Sequence, residues 1–268
     1  MLFPSTYRNY LRRLGWLLAG WVVVVGLSSL PAIAQTDSPS SFCISNSEAL
    51  TDSVQGRSYG DPHINTYDRF HYSFQTLGEY ILTRSADGNF EVQARQNRVV
   101  GRDNLSLNTA VAMNVCGDRV ALYLQDLPDG NSTPLRLEGL PTPFEADAVP
   151  LPSGGEVQQL GSGDYAIIWP SGDQVLIHSI QVGGNTFYNI MPTLSRRHAQ
   201  TMSGLLGNFN GNPDDDLMSR DGTVIPARST YSVATNALDS ILPAAIPVRN
   251  LEDAYFDDLY RQFGDSWR

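Results

Sequence analysis

The chain has 268 residues, with 28 acidic against 18 basic side chains and a net charge of −10. Every basic side chain is arginine, which excludes P-loop phosphate binding and Schiff-base or pyridoxal chemistry, since each needs a lysine amine. The acid excess argues against nucleic acid or an anionic membrane as partner and favours a cation, although acidity also simply keeps an exported protein soluble.

The amino terminus addresses the compartment. Arg8, Arg12 and Arg13 precede a stretch from Leu14 to Ala34 that no charge interrupts, ending in the small-x-small pattern Ala32-Ile33-Ala34 that signal peptidases read. An apolar stretch of about 20 residues is also long enough to be an uncleaved membrane anchor. Ser28, Ser29 and Pro31 weaken its last third, so residues 1–34 are read as a signal peptide cleaved after Ala34. That predicts a secreted or cell-surface protein with no membrane span after cleavage. Removing the leader takes three arginines and no acids, leaving 15 arginines against 28 carboxylates. Residues 35–58 read as a linker and amino-terminal segment, with Thr36–Ser41 its flexible part. Cys43 and Cys116 are the two cysteines, both beyond the leader. In an oxidising compartment they predict one disulfide, with two unpaired buried thiols as the alternative.

From about Gly60 to Pro192, short apolar runs alternate with Gly, Pro, Asn and Asp. Strands are expected at Glu79–Arg84, Asn89–Arg95, Asn108–Val115, Arg119–Leu124, Asp164–Trp169, Gln174–Val182 and Thr186–Met191. Val175, Ile177 and Ser179 alternate with Leu176, His178 and Ile180. The runs are broken by Asp87-Gly88, Pro128-Asp129-Gly130, Ser171-Gly172 and Gly183-Gly184. This pattern predicts a mainly all-β fold, an antiparallel β-sandwich, with no helix between strands for a βαβ unit. Near the end, Leu251–Phe263 carries Leu251, Tyr255 and Leu259 four residues apart, which predicts a short C-terminal helix packed on the sandwich edge.

Between the strands and that helix lies Gly207-Asn208-Phe209-Asn210-Gly211-Asn212-Pro213-Asp214-Asp215-Asp216. Oxygen side chains at alternate positions, broken by Gly and Pro, suit a loop wrapped round calcium, which takes six to eight oxygens. The loop is not an EF-hand, because Pro213 and Ser219 fall where that motif needs Gly and a bidentate Glu. An Asn/Asp-rich turn bonding its own backbone is the plain alternative.

A second segment, Gly60-Asp61-Pro62-His63-Ile64-Asn65-Thr66-Tyr67-Asp68, precedes the first long strand. With Gly204-Leu205-Leu206-Gly207-Asn208-Phe209-Asn210-Gly211 and the closing Phe263-Gly264-Asp265-Ser266-Trp267-Arg268, it resembles the von Willebrand factor type D domain over residues 59–268. The resemblance implies a β-sandwich with one calcium ion. Its ligands would be the side chains of Asp68, Asn208, Asn210, Asp215 and Asp216 and the carbonyl of Asn212, with Asp214 a spare acid. It also makes Asp61-Pro62 a candidate self-cleavage bond, as in some mucin-type relatives. Arg69 stands where the family has Gly, so a positive φ there would strain the turn. Ser203 and Leu206 replace cysteines linked to multimer assembly, so covalent polymerisation is not expected.

Four histidines complete the inventory. His63 and His71 flank Asp68, His178 sits in an apolar strand, and His198 follows Arg196-Arg197 in what reads as an exposed turn. Two functions are carried forward. One is a non-catalytic calcium-binding module that binds an extracellular protein or polysaccharide. The other is a secreted hydrolase using clustered carboxylates; no Gly-x-Ser-x-Gly elbow or zinc signature accompanies it.

Overall fold

A computed structural model describes residues 43–45, 52–102, 105–161, 163–226 and 255–268. The leader, its cleavage site and Leu251 lie outside these residues. Four short strands come first: β1 (Ser53–Gln55), β2 (Arg57–Tyr59), β3 (His63–Asn65) and β4 (His71–Ser73). Four longer ones follow: β5 (Gly78–Ser85), β6 (Phe90–Arg98), β7 (Ser106–Val115) and β8 (Asp118–Tyr123). Next are β9 (Leu135–Leu137), β10 (Leu140–Pro141), β11 (Ala148–Pro150), β12 (Glu156–Gln159) and β13 (Tyr165–Ile168). The series ends with β14 (Gln174–Val182), β15 (Asn185–Ser195) and β16 (Met202–Ser203).

They form two antiparallel sheets. One has the order β11-β12-β13-β14-β15-β2-β3-β4, with β1 also on β15; the other runs β10-β9-β8-β7-β6-β5-β16. The alternation that predicted strands is visible in burial: β6 reads buried at every other residue from Phe90 to Gln96. Two tight hairpins show why glycine sits at the turns. Val115 pairs Asp118 and Val182 pairs Asn185, leaving Cys116-Gly117 and Gly183-Gly184 as two-residue loops. All four loop residues have positive φ, the geometry that matches strand twist.

The sheets pack through one apolar core that includes Phe90, Val92, Val111, Leu122, Val157, Ile167, Trp169, Val175 and Ile190. Phe90 meets Trp169 edge-on at 6.0 Å, an arrangement aromatic rings favour. The predicted C-terminal helix is present over residues 255–266, with Asp258–Gly264 wound as a π-helix. Tyr255, Leu259, Phe263 and Trp267 are its buried face. Gly264 is needed at the closest approach, where a Cβ would lie 2.6 Å from the Phe74 ring. Among the described residues no helix is long and apolar enough to cross a membrane.

One expectation is corrected. His198 is not in an exposed turn but 1% exposed, with Nε2 2.9 Å from Oδ2 of fully buried Asp173. A buried carboxylate demands partners, and the turn Arg196–His198 supplies them, with Arg197 donating to the same oxygen at 3.3 Å. Burial alone would raise the Asp173 pKa, but the His198 hydrogen bond and charge, the Ser195 N–H and Ser171 together lower it.

Cys43 and Cys116 form the expected disulfide, 73 residues apart in sequence. It also ties down Cys116, whose φ of +56° a non-glycine residue adopts at a cost. A loop of that length corresponds to about 4 kcal/mol in the chain-entropy model, an upper figure. Equilibrium urea unfolding of the Cys43→Ala/Cys116→Ala variant is expected to show a loss of about 2–4 kcal/mol. A midpoint equal to wild type would show that the bond contributes nothing.

Candidate metal centre

The centre begins with a turn. Between β3 and β4, Thr66 N donates to Phe70 O at 2.9 Å, Phe70 N to Thr66 Oγ1 at 2.8 Å and Arg69 N to Thr66 O at 3.2 Å. This closes Thr66–Phe70 on itself and projects Asp68 from its tip. Arg69 adopts φ +73°, in the left-handed region that glycine would occupy without strain.

The late loop is held against this turn by the sheet. After β16 the chain still pairs with β5, Leu205 N donating to Ile81 O at 3.1 Å and Leu206 N to Leu82 O at 2.8 Å. Leu205 and Leu206 are fully buried, so this stretch is anchored by core side chains. Tyr67 N then donates to Leu206 O, and the Tyr67 ring lies 5.0 Å from Phe209. Tyr72 OH adds a 2.6 Å bond to Leu205 O. Two segments about 140 residues apart are thereby fixed side by side before any acid is considered.

Asp216 is the buried acid, 1% exposed. Thr66 Oγ1 donates to its Oδ2 at 2.6 Å and Asn208 N to its Oδ1 at 3.3 Å. Gly207 lets that carboxylate approach: a Cβ there would stand 2.0 Å from Asp216 Oδ1, and its φ is +83°. Asp68 Oδ2 accepts from Asn210 N at 2.9 Å. Asp215 receives the amide groups of both asparagines, Asn208 Nδ2 at 2.9 Å and Asn210 Nδ2 at 2.9 and 3.1 Å. The amide oxygens take backbone N–H groups, Asn208 Oδ1 from Asn210 and Asn210 Oδ1 from Asn212. Asn212 is exposed and accepts from Asp214 N, capping the short turn Pro213–Asp215. Asp214 is exposed.

Electrostatics sets this group apart. Burial, followed by the charges of Asp68 and Asp215, pushes Asp216 up to about 7, against the lowering bonds from Thr66 and Asn208. A carboxyl with a raised folded pKa costs stability when ionised, so the cost is absent below the ordinary carboxylate range and grows as pH rises towards about 7. No arginine pairs with these three acids among the described residues. No three His, Cys, Asp or Glu side chains there close on a common point at metal-binding spacing; the amide N–H groups of Asn208 and Asn210 stand against Asp215 instead. The oxygen-rich donor set with excess negative charge suits a hard cation. A cleft lined by Arg84, Ser219, Arg220 and Trp267 reaches Asn208 and Asp216 and gives a path to them.

The sequence-derived ligand residues Asp68, Asn208, Asn210, Asp215 and Asp216 are thus brought together, with Asn212 at the loop's exposed end. Thr66 was missed, and its signal was only its place two residues before Asp68. The other candidate position, Asp61, places Oδ1 3.2 Å from His63 Nε2 and accepts from Gln75 Nε2 at 2.8 Å through Oδ2. His178 keeps a partly exposed partner in Asp164 at 3.2 Å.

Two substitutions test the turn geometry with opposite signs. Arg69→Gly relieves about 1–2 kcal/mol of left-handed strain against about 0.5–1 kcal/mol of glycine entropy, so thermal unfolding is expected to show a small net gain. Gly207→Ala is expected to cost more than about 3 kcal/mol, through positive φ and the clash with Asp216. Equal melting temperatures for the three proteins would contradict this reading of the loop.

Comparison with known proteins fits these features. The profile of the von Willebrand factor type D domain matches residues 56–223. SCO-spondin of Rattus norvegicus is 27% identical over 167 residues, which is 62% of this chain and 3% of that protein. SCO-spondin of Gallus gallus is 26% identical over 185 residues, 64% of this chain and 3% of that protein. Sushi domain-containing protein 2 of Homo sapiens is 28% identical over 173 residues, covering 63% and 20%. The chain therefore spans a small part of each relative's length. The matched segment covers more than half of the chain and includes both the Thr66–Phe70 turn and the Gly204–Asp216 loop, and the chain belongs to the von Willebrand factor type D domain family.

Proposed function

We propose that this protein is an exported, non-catalytic calcium-binding module with a binding, adhesive or structural role outside the cell. The observation that carries the reading is that hydrogen bonds link Asp68, Asn208, Asn210, Asp215 and buried Asp216 into one neighbourhood, three carboxylates without a basic partner among the described residues. Membership of the family, the apolar leader and the Cys43–Cys116 disulfide support export. The partner would be an extracellular protein or polysaccharide. Those five side chains and the Asn212 carbonyl would hold the ion, which when bound supplies positive charge and a shared centre for their oxygens. Thr66 holds Asp216 in place, and Gly207 keeps the space its carboxylate needs. Hydrolysis by the same acids is the rival reading. It is disfavoured because Asp216 is buried and Asp215 is occupied by two amides; polysaccharide or peptide cleavage abolished by Asp215→Asn would restore it.

Binding should favour the folded state alone, since an unfolded chain cannot bring Asp68 to the late loop. With Kd in the extracellular range of about 10⁻⁴ to 10⁻³ M, about 10 mM calcium adds roughly 1.4–2.7 kcal/mol. For a domain of this size that is roughly 3–10 °C in melting temperature. Asp216→Asn and Asp68→Ala should each erase most of the increment, Asp214→Ala should not, and magnesium should substitute poorly because it demands a tighter octahedron. The check is a melting series from protein first stripped of metal, and a wild-type curve indifferent to calcium would remove the site.

The Asp61–Pro62 bond is proposed as a self-cleavage site in mild acid. The Asp61 carboxyl attacks its own carbonyl carbon, forming a cyclic anhydride and releasing the Pro62 amine, and water then opens the anhydride. The carboxyl must first leave Gln75 and His63, so Gln75→Ala should speed the appearance of a chain beginning at Pro62. An intact chain after prolonged incubation with native structure retained would count against it.

A further inference from the structure

The outer face of β2, β3 and β4 carries a pair of imidazoles that the cation loop does not use. Register places them there. His63 pairs Ser73 and Asn65 pairs His71, so His63 and His71 are diagonal neighbours on one face, while Ile64 and Tyr72 point into the core. Their ring centres are 5.7 Å apart with planes 31° from parallel. Tyr59, opposite His63 on β2, stands 5.6 and 6.5 Å from the two rings and walls one side. The face is accessible: His71 is exposed, and the side chains of His63 and Asp61 are 33% and 39% exposed.

Hydrogen bonds hold both rings in place. His71 Nδ1 is 2.7 Å from Asn65 Oδ1. With the amide oxygen on that side, a neutral ring donating from Nδ1 has its lone pair on Nε2. His63 Nδ1 is 3.0 Å from Ser73 Oγ, and its Nε2 is 3.2 Å from Asp61 Oδ1. His71 is held as a ligating imidazole is, with its second nitrogen fixed by an outer oxygen; in His63 the Nε2 faces Asp61, so an ion there would replace the proton between them.

We infer that His63 and His71, with Asp61 beside them, form a surface site for a divalent transition metal of the copper, nickel and zinc class. An imidazole nitrogen takes such an ion at about 2.0–2.1 Å, which puts each ring centre roughly 3.2 Å from it, so two ligating rings lie about 5–6.4 Å apart. The observed 5.7 Å falls inside that interval. The plain alternative is a pair of cross-strand hydrogen bonds, His63 to Ser73 and His71 to Asn65, beside a ring contact; the copper titration separates the two. No third His, Cys, Asp or Glu closes on the same point among the described residues, so water completes the coordination and the site is open and exchangeable. Imidazole donors select against calcium, and affinity should follow copper above nickel and zinc.

The test uses the full chain without a polyhistidine tag, stripped of metal and kept in excess calcium, titrated with Cu²⁺ and read by calorimetry and electron paramagnetic resonance. The expected result is one equivalent of copper coordinated by two imidazole nitrogens. His63→Ala and His71→Ala should each weaken binding by at least about tenfold, and His178→Ala should leave it unchanged. Circular dichroism and melting curves in chelator, unaltered by the exposed His71→Ala change, separate lost ligation from lost fold. Copper affinity unchanged in either of the first two variants, or a spectrum with one imidazole nitrogen, would overturn the site.

Discussion

Thr66 and Asp216 are 150 residues apart in sequence and joined by a 2.6 Å hydrogen bond in the interior. Much of the architecture around the loop is arranged so that this buried carboxylate can exist. It needs the β3–β4 turn to present a hydroxyl, a glycine at 207 to leave room, and an N–H from Asn208. Each requirement fixes a different part of the chain. The turn is fixed through Tyr67 and Phe209, and the loop through its ladder to β5. A charge so placed is expensive unless it is paired, and what surrounds it is further negative charge. The cost of ionising this carboxyl comes from the chain's own packing, and a proton or a bound cation would each relieve it.

A second buried acid shows the other solution to the same problem. Asp173 is as deeply enclosed as Asp216, but His198, Arg197 and the Ser195 N–H converge on it and its pKa falls. Asp216 has a hydroxyl and an N–H, and its pKa rises to about 7. One carboxylate is paired with basic side chains, and the other is held by hydrogen bonds alone. The contrast separates an ion-paired acid from one that has no basic partner among the described residues.

The longer strands were legible because alternation of apolar and polar residues survives over six or more positions, and β14 (Gln174–Val182) matches its expected span. Strands of two or three residues carry no period. Ser53–Gln55 and Arg57–Ser58, within a segment read as linker, join the sheet through β15 and β3, partners far along the chain or across a tight turn. The disulfide followed from compartment and cysteine count. The positions of Asp68 and the Asn208–Asp216 loop followed from a resemblance, whereas spacing alone left calcium and an ordinary turn nearly level. Thr66 was invisible, because a hydroxyl among strand residues has no signature until its distant partner is known. His198 was misread because its arginine neighbours suggest solvent, while the acid that draws it inward lies 25 residues earlier.

The central claim is that the late loop closes on the Thr66–Phe70 turn in order to hold a calcium ion. The most direct measurement is a crystal structure of metal-stripped protein after calcium is restored. The account predicts one ion among Asp68, Asp215 and Asp216, with the Asn208 and Asn210 amides turned so that oxygen, not N–H, faces the centre. A loop in which both amides still donate to Asp215, with no ion at saturating calcium, would contradict it.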